Sequence, residues 1–462
     1  MKILPDFTKI KPVNNDGSSF KCYYRQNFPK KPLRGGFMLV EFTVKNYRSI
    51  KEEQVFSMVK AKGDELESTN TFQPSAPASV TLLRSAAIYG ANAAGKSNVI
   101  RAMMEMESIV RNSASSSQEG DVIPVTPFLF DESSSSEPTE FEMIFISEGV
   151  RYQFGFCATK THIVEEWLIA YPKGRAQRWY SRGFNKSKNT SEYKFSDFLL
   201  GQKSVWQNAT RSNALFLSTA IQLNSDQFKP VFNWFKETLR PSKLGGWGAE
   251  FTASLCETEK SKVRVLEFLK AADFDIHDIR IDKEKFDPES LLEDFPDSVR
   301  ETIIKTMKDK DMIDIKTIHK TESGNLVPLD FDEESDGTQN FFSFAGPWID
   351  TLKEGYVLVI DELHDNLHPK LVKYLVNLFH NDKTNPNNAQ LIFTTHETSI
   401  LSQDEFRRDQ IWFCEKDERQ ATSLYPLTDF SPRKDRENIE LGYLSGRYGA
   451  LPFIKPFELE AV

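Results

Sequence analysis

Eight residues, Gly90-Ala-Asn-Ala-Ala-Gly-Lys-Ser97, constrain the fold of this chain more than any other feature of its sequence. They satisfy the pattern GxxxxGK[ST], follow the apolar segment Ala86–Tyr89 and precede a helical pattern. In this context glycines let a loop wrap closely around phosphates, the lysine neutralises phosphate oxygens, and the hydroxyl reaches Mg²⁺. The pattern therefore predicts a strand, a phosphate-binding loop and a helix. The ligand-binding residues that it predicts are Gly90, Gly95, Lys96 and Ser97.

A second signal is an apolar strand that ends in two carboxylates. The run Tyr356–Ile360 is followed directly by Asp361 and Glu362. Parallel α/β proteins bind ligands at the carboxyl ends of their strands, and adjacent side chains of a strand point in opposite directions. Asp361 would hold Mg²⁺ through water, and Glu362 would orient or deprotonate an attacking water. Such an ending alone is typical of many strand edges, so the interpretation depends on the phosphate-binding loop.

A third signal is a histidine at the end of another predicted strand. His396 follows Gln390–Thr395, where its ring could hydrogen-bond a γ-phosphate or the attacking water. The chain has seven histidines, and a lone histidine is usually structural or on the surface. His396 is singled out only because the phosphate-binding loop and the Asp-Glu pair precede it in the expected order.

The segment Glu334–Gln339 precedes a helical pattern. Ser335 and Gly337 at its start make an anion-binding helix N-terminus, which could present N–H groups and a hydroxyl to the γ-phosphate of a second nucleotide. The simpler alternative is an ordinary helix cap, because Ser-x-Gly is common before helices.

Composition limits the class of protein. The chain has 462 residues, of which 39% are hydrophobic and 12% aromatic, enough for a sizeable core. No apolar run approaches the roughly 18 residues of a membrane span, and no secretory signal is visible, so we expect a cytoplasmic protein without membrane contact. The four cysteines form no CxxC pair, which is typical of a reducing compartment. A net charge of -9 does not indicate a protein that binds nucleic acid over its whole surface. It is compatible with a local basic patch, because phosphate binding depends on how the charges are distributed.

The domain organisation is predicted from changes of pattern along the chain. Strand and helix alternate from Tyr356 to Thr394, which predicts a parallel α/β fold. Helical periodicity in Asp226–Leu239 and Ser261–Ala272 predicts an inserted helical lobe, the expected surface for recognising a partner or trigger. Trp234, Phe235 and Phe268 in this lobe are expected to be core residues. The predicted segments are an N-terminal extension (1–37), a first lobe with the phosphate-binding loop and antiparallel strands (38–204), a helical insert (205–330) and a C-terminal part with Ser335, the Asp-Glu pair and His396 (331–462).

With these motifs in this order, the chain resembles the heads of ABC-type ATPases, a group that includes the SMC, RecF and OLD proteins. The run Gly90–Asn98, of the form GxNxxGKSN, favours that group over other phosphate-binding loops. The resemblance implies ATP and Mg²⁺ as cofactors and at least a dimer, in which Ser335 and Gly337 of one copy act on the nucleotide of the other. It also implies that Asn92, Asn98 and Arg48 contribute to nucleotide binding.

A narrower resemblance is to the bacterial AAA-type family of ATP-binding proteins that contains RloA, the abortive-infection AbiL proteins and the ATPase of PARIS-like anti-phage systems. It covers Met38 to Pro452. The segments that carry it are Phe42–Ile50, Glu334–Gln339, Asp361–Pro369, Phe393–His396, Arg407–Trp412 and Tyr443–Pro452.

The chain departs from this family in three places. Glu362 is followed by Leu363-His-Asp-Asn366, where relatives carry an acidic residue and a serine, so no role is assigned to Asp365 or Asn366. No glutamine marks a Q-loop after Pro127. OLD-type relatives carry a Toprim nuclease domain, which we do not expect here because about 65 residues follow His396.

The motifs predict an ATPase. The narrower resemblance implies that this ATPase acts as sensor or regulatory scaffold in an anti-phage system and controls a separately encoded effector. The alternative is a RecF-like DNA-repair ATPase, supported by a basic stretch, Lys173–Lys188, in which cations alternate with aromatic residues. The simpler interpretation of that stretch, which we favour, is a solvated hairpin edge protected by positive charge. A transporter subunit would need a membrane partner and a docking groove that the sequence does not identify.

Overall fold

The computed structural model describes residues 36–77, 80–242, 247–285, 304, 311–434 and 436–453. The predicted N-terminal extension lies outside the described residues except for its last two positions, as do most of residues 286–310 of the predicted insert.

The contacts divide the chain into two units. The larger unit comprises Leu33–Gly246 and Asp350–Val462, and the smaller unit includes Trp247–Ile349. The domain boundaries predicted from the sequence lie after residues 204 and 330 instead. Residues 205–246 group with the larger unit because aromatic side chains of this stretch, among them Phe216 and Trp234, are buried in that unit's main core.

The elements are numbered along the chain. The strands are β1 (Met38–Lys45), β2 (Gln54–Ser57), β3 (Thr71–Phe72), β4 (Leu82–Leu83), β5 (Ser85–Gly90), β6 (Thr139–Ser147), β7 (Val150–Ala158), β8 (Ile163–Tyr171), β9 (Gln177–Asn185), β10 (Thr190–Phe195), β11 (Leu239–Pro241), β12 (Asp278–Lys285), β13 (Asp311–Lys320), β14 (Leu326–Asp330), β15 (Val357–Ile360), β16 (Gln390–Thr394), β17 (Ile411–Lys416) and β18 (Thr422–Pro426). The helices are α1 (Glu67–Asn70), α2 (Lys96–Asn112), α3 (Glu132–Ser136), α4 (Lys203–Ala209), α5 (Phe216–Gln222), α6 (Lys229–Asn233), α7 (Ala249–Leu255), α8 (Glu259–Ala271), α9 (Asp336–Glu354), α10 (Pro369–Asn377) and α11 (Ile439–Leu444).

A six-stranded sheet of the larger unit carries the predicted motifs. Its order is β11-β15-β16-β5-β17-β18, and all neighbouring strands are parallel except β17 and β18. Every residue of β15 and β16 is buried, as expected for strands covered on both faces. The predicted strand, helix and strand between Tyr356 and Thr394 are confirmed as β15, α10 and β16.

A seven-stranded antiparallel sheet forms the other large layer of this unit, in the order β10-β9-β8-β7-β6-β1-β2. Buried and half-buried residues alternate along β6, the pattern of a strand with one face on a core. Helix α2 contacts both β1 of this sheet and β5 of the parallel sheet. The predicted α/β fold, a phosphate-loop parallel sheet with an antiparallel β part, is confirmed.

The smaller unit combines helices with a three-stranded antiparallel sheet, β12-β13-β14. The Thr252 hydroxyl links helix α7 to α9. It accepts from Gly346 N–H at 2.9 Å and donates to Phe342 O at 2.9 Å. The range predicted as a helical insert, 205–330, also contains four strands among its described residues, β11 to β14. Trp234, Phe235 and Phe268 are buried, as predicted. Within the described ranges, no helix is long and apolar enough to cross a membrane.

Candidate nucleotide-binding site

The loop between β5 and α2 has the shape that its glycines predict. Gly90 and Gly95 have φ of 153° and 108°, in the region that disfavours residues with a Cβ. A Cβ on Gly90 would lie 2.4 Å from Cys414 O, and one on Gly95 would lie 2.2 Å from Thr422 Oγ1. Glycine has no Cβ and therefore fits at both positions. The backbone can then curve closely around a phosphate group, and α2 can begin directly behind it.

Lys96 is the first residue of α2, and its ammonium group is folded over the loop. Its Nζ donates to Gly90 O at 2.8 Å and to Ala91 O at 3.2 Å. The residue is buried, and this burial lowers its pKa, while Cys414, Glu362 and Asp361 act in the opposite direction. An ammonium group has three N–H donors, so two carbonyl contacts leave one donor for a ligand. The lysine is thus held at the mouth of the loop.

The rear of the loop is tied to the turn after β1. Asn98 Nδ2 donates to Ser49 Oγ at 2.7 Å, and Thr422 Oγ1 lies 2.8 Å from the same oxygen and 2.9 Å from Ala94 O. Asn98 therefore braces the loop from behind. Asn92 is exposed on the loop itself.

Arg48 occupies the same turn with a positive φ of 51°. Its Nε donates to Tyr47 Oη at 3.2 Å, and its guanidinium carbon lies 5.6 Å from the centre of the Tyr47 ring. The next residue of this turn, Ser49, contacts Asn98 behind the loop. Arg48 therefore lies one residue away from a contact that supports the phosphate-binding loop. Its predicted contact with a nucleotide stays a prediction.

Asp361 follows β15 and is buried with an incomplete set of partners. Its Oδ1 accepts from Thr394 Oγ1 at 2.6 Å. Its Oδ2 is buried and has no hydrogen-bond partner among the residues that the structure describes. An unpaired buried carboxylate oxygen is costly unless a cation or another donor satisfies it. The donor set therefore fits Mg²⁺, which binds carboxylate, hydroxyl and phosphate oxygens, with Ser97 at the start of α2 as the hydroxyl ligand.

The described residues contain no group of three or more histidine, cysteine, aspartate or glutamate side chains that could hold a metal ion. A magnesium ion at Asp361 would then take its remaining ligands from substrate phosphates and water, as this ion commonly does.

Glu362 is exposed and has a left-handed backbone conformation, with φ of 57°. Its N–H donates to Thr394 Oγ1 at 2.7 Å. One hydroxyl thus contacts both acidic residues and fixes the turn after β15. A non-glycine residue with this φ is uncommon and is often found at functional sites.

His396 lies at the same edge of the sheet as this pair, because β15 and β16 are parallel neighbours that pair Ile360 with Phe393. Its ring is exposed, and its centre lies 3.7 Å from that of His364. The structure therefore brings together the phosphate-binding loop, both carboxylates and His396 at the carboxyl edge of one sheet.

Ser335 and Gly337 lie in the smaller unit, at the start of α9. Ser335 Oγ accepts from Thr338 N at 3.1 Å, the geometry of a helix cap. Ser335 is exposed, and α9 has 19 residues. The segment is thus a capped helix N-terminus, and its predicted action on a second nucleotide stays a prediction.

Residues 85–402 match the protein family described as "AAA domain, putative AbiEii toxin, Type IV TA system". The matched range begins at β5 and includes the phosphate-binding loop, Asp361, Glu362 and His396. The chain belongs to this AAA-domain family.

Solved structures give only distant likenesses to this AAA-domain protein. The SMC head domain from Thermotoga maritima has a TM-score of 0.38 and 12% identity, over 84% of this chain and 98% of that chain. The recombination mediator protein RecF with ATP has a TM-score of 0.32 and 14% identity, over 79% of this chain and 95% of that chain. No curated protein matches the sequence. These likenesses are too distant to carry an argument about function.

In this AAA-domain protein the basic stretch does not form one surface. Trp179, Tyr180 and Arg182 are buried, so none of them is available to stack with a base. The exposed cations Lys173, Arg175 and Arg178 lie before or at the start of the nine-residue strand β9, and Lys186 and Lys188 follow its other end. At about 3.3 Å per residue the two groups are roughly 30 Å apart. The edge strands of this sheet are β10 and β2, so β9 is not an edge strand.

Three hydroxyl residues of the site were missed by the sequence analysis, and all three support the motif residues from behind or beside them. They are Ser49, Thr394 and Thr422. Thr394 could have been found from the sequence, because the last residue of a strand that is a parallel neighbour of β15 must lie beside Asp361. Ser49 and Thr422 had none, since their contacts join segments far apart in the chain.

Proposed function

We propose that this AAA-domain protein is an ATPase of the ABC type that binds and hydrolyses ATP with Mg²⁺. The observation that carries the proposal is the buried Oδ2 of Asp361, which has no partner among the described residues and lies at the edge of the sheet that also presents Lys96 and Glu362. A buried carboxylate oxygen left open beside a phosphate-binding loop is suited to a metal-bound nucleotide and serves no packing purpose.

Each group has a distinct role in this proposal. The loop amides and Lys96 bind the phosphates, and Ser97 and Asp361 hold the metal. Bound Mg²⁺ would neutralise charge on the phosphate oxygens during transfer. Glu362 orients or deprotonates the attacking water, and His396 donates to the γ-phosphate or positions that water. Removal of the ammonium group in Lys96→Ala is expected to abolish ATP binding, which equilibrium binding of a fluorescent ATP analogue would measure.

We further propose that two copies form each complete site, with Ser335 and Gly337 of one copy acting on the nucleotide of the other. Support comes from the exposed and capped start of α9, whose N–H groups could meet an anion. A mixture of Ser335→Arg and Lys96→Ala proteins should regain part of the activity that each lacks, because one of the two sites in a mixed dimer is intact. Full inactivity of a mixture in which mixed dimers are demonstrated would refute action in trans.

The biological role that we propose is a cytoplasmic sensor or regulatory scaffold in an abortive-infection system, which controls a separately encoded effector. The family description, which names a toxin of a type IV toxin–antitoxin system, supports a link to such systems. The test is phage plating on cells that carry the gene with its neighbours, as wild type or as Lys96→Ala. Protection by the wild type alone supports the role, and equal plating on both strains contradicts it.

A RecF-like DNA-repair ATPase is the second candidate. The exposed cations Lys173 and Arg175 at the turn between β8 and β9 favour it, since they could contact a phosphate backbone. Binding of duplex DNA that weakens steeply with salt, and that is lost when both residues become serine, would support it. The same pair of substitutions without effect on DNA binding would remove this support.

A further inference from the structure

His364 is a residue of the site to which none of the motifs assigns a role. It lies two positions after Glu362, in the segment where the chain departs from the family pattern. Leu363 N–H donates to Thr394 O at 3.1 Å, so the pairing of the two strands continues past the end of β15. This continued pairing places His364 beside the residues that follow β16, Thr395 and His396.

The two imidazole rings are in direct contact. Their centres are 3.7 Å apart, and their planes are inclined at 66°, an edge-to-face arrangement. Aromatic pairs in proteins usually have centres about 4.5 to 7 Å apart, so this contact is a close one. The exposed ring of His396 therefore has a partly buried ring against it, and this contact restricts the positions that His396 can adopt.

His364 is itself held from the second strand. Its Nδ1 lies 3.1 Å from Thr395 Oγ1, and that hydroxyl also accepts from Glu397 N–H at 3.0 Å. Thr395 is fully buried, and its own N–H donates to Ile88 O of β5 at 3.1 Å. The chain of contacts thus runs from the central strand of the parallel sheet through Thr395 and His364 to His396.

The partial burial of His364 favours a neutral ring. Burial lowers its pKa to about 4, and His396 and Lys96 act in the same direction, whereas Asp365 and Glu397 oppose them. His364 is therefore neutral at neutral pH, and its contact with His396 is an aromatic one.

We propose that His364 is a positioning residue, which holds the ring of His396 at the phosphate end of the site through edge-to-face contact. The proposal rests on the proposed ATPase function, because His396 acts there on the γ-phosphate or on the attacking water. In this proposal His364 acts through His396 and not on the nucleotide, so its removal lowers the rate of hydrolysis and leaves the phosphate-binding loop intact.

The test compares four proteins: wild type, His364→Ala, His364→Phe and His368→Asn. We expect His364→Ala to lower kcat about tenfold, because small displacements of a catalytic group have large effects on rate. The KM and the Kd for a non-hydrolysable ATP analogue should change less than about twofold. His364→Phe keeps an aromatic ring against His396 and should restore most of kcat.

His368→Asn is the matched control. His368 is exposed four positions further on, where its Nδ1 accepts from Lys370 N–H at the start of α10, and asparagine can replace it as a cap. This variant should hydrolyse ATP at the wild-type rate. A kcat of His364→Ala equal to that of wild type would overturn the proposal, as would His364→Phe being as slow as His364→Ala.

A second measurement separates this proposal from the proposed function. In nucleotide-free protein with labelled histidines, the NMR signal of His396, assigned with His396→Gln, should shift in His364→Ala and stay in place in His368→Asn. This readout does not depend on hydrolysis. A wild type without ATPase activity would refute the proposed function, whereas an unchanged His396 signal in His364→Ala would refute the positioning contact.

Discussion

Two buried carboxylates of the larger unit, Asp361 and Glu166, have opposite surroundings. Glu166 on β8 is completely buried and satisfied: Oε2 accepts from Phe216 N at 2.7 Å, and Oε1 accepts from Leu217 N at 3.0 Å and from Tyr180 Oη at 2.7 Å. Arg182 lies 3.6 Å from Oε2. Asp361 keeps one buried oxygen without a partner among the described residues.

The difference separates a structural acid from the acid that we propose to be functional. Glu166 joins β8 and β9 to the start of α5, and both of its oxygens are used for that purpose. Asp361 uses one oxygen to fix its own position through Thr394 and, in our proposal, leaves the other for a metal ion. Buried charge alone therefore does not identify a site, whereas buried charge with an unused oxygen beside a phosphate-binding loop does.

The largest expected effect concerns the structural acid. Arg182→Met should lower the free energy of unfolding by about 3 to 5 kcal/mol, because it leaves Glu166 without its charged partner. Urea denaturation would measure the loss. The double variant Glu166→Gln/Arg182→Met should be more stable than Arg182→Met alone. Equal stability of the single and double variants would contradict the charge pairing.

The functional acid should respond in the opposite way. Asp361→Asn removes a buried charge whose Oδ2 has no hydrogen-bond partner among the described residues, so the free energy of unfolding should stay the same or rise. Hydrolysis of ATP should fall by about 10² to 10³-fold, since the metal loses its carboxylate ligand. Both predictions are checked by measuring urea denaturation and phosphate release on the same preparation of Asp361→Asn. A destabilisation as large as that of Arg182→Met would make Asp361 a structural residue.

The pH dependence of stability extends the comparison to a third buried group, His380. His380 is buried, its Nε2 lies 2.7 Å from Ser85 Oγ, and burial, with Arg84 as a second cause, lowers its pKa to about 3. The unfolded chain takes up a proton near pH 6.5 while the folded chain does not, so stability falls as the pH drops from 6.5 towards 3. His380 should account for a loss of about 2 kcal/mol between pH 6.5 and 5.

Thermal unfolding of wild type and His380→Gln at several pH values checks this expectation. The variant should be less stable at pH 7 and should show a shallower decline towards pH 5. Parallel curves for the two proteins would show that His380 takes up its proton equally in both states.

The smallest expected effect concerns the hydroxyl that supports the functional pair. Thr394→Val keeps the shape of the side chain but leaves Asp361 Oδ1 and Glu362 N–H without a partner, which should cost about 1 to 2 kcal/mol of stability. Hydrolysis should fall about tenfold. Thr394→Ser retains the hydroxyl and should behave as wild type. An active Thr394→Val protein would show that the turn after β15 is fixed by other contacts.

The sequence predicts the parts of the site that are set by local chemistry. The glycines of the loop, Lys96 and the Asp361-Glu362 pair each lie next to a strand or helix with a clear pattern, and the parallel fold follows from the same patterns. His396 could be chosen among seven histidines only through the order of the motifs.

The rest depends on contacts between distant segments. The support of Asn98 by Ser49, and of Asp361 by Thr394, arises from the pairing of strand ends, which sequence periodicity does not specify. The basic stretch looks continuous along the chain, yet β9 separates its exposed cations. Residues 205–246 look like part of an insert because they are helical, but their aromatic side chains are buried in the core of the larger unit.

The most direct test of the central claim is the rate of Mg²⁺-dependent ATP hydrolysis by wild type and by Glu362→Gln, with bound nucleotide measured in parallel. Our account predicts that the wild type releases phosphate only with Mg²⁺. It predicts that Glu362→Gln retains ATP and hydrolyses it at least about 100-fold more slowly, since the group that activates water is lost. Hydrolysis by Glu362→Gln at the wild-type rate would contradict the assignment of the site.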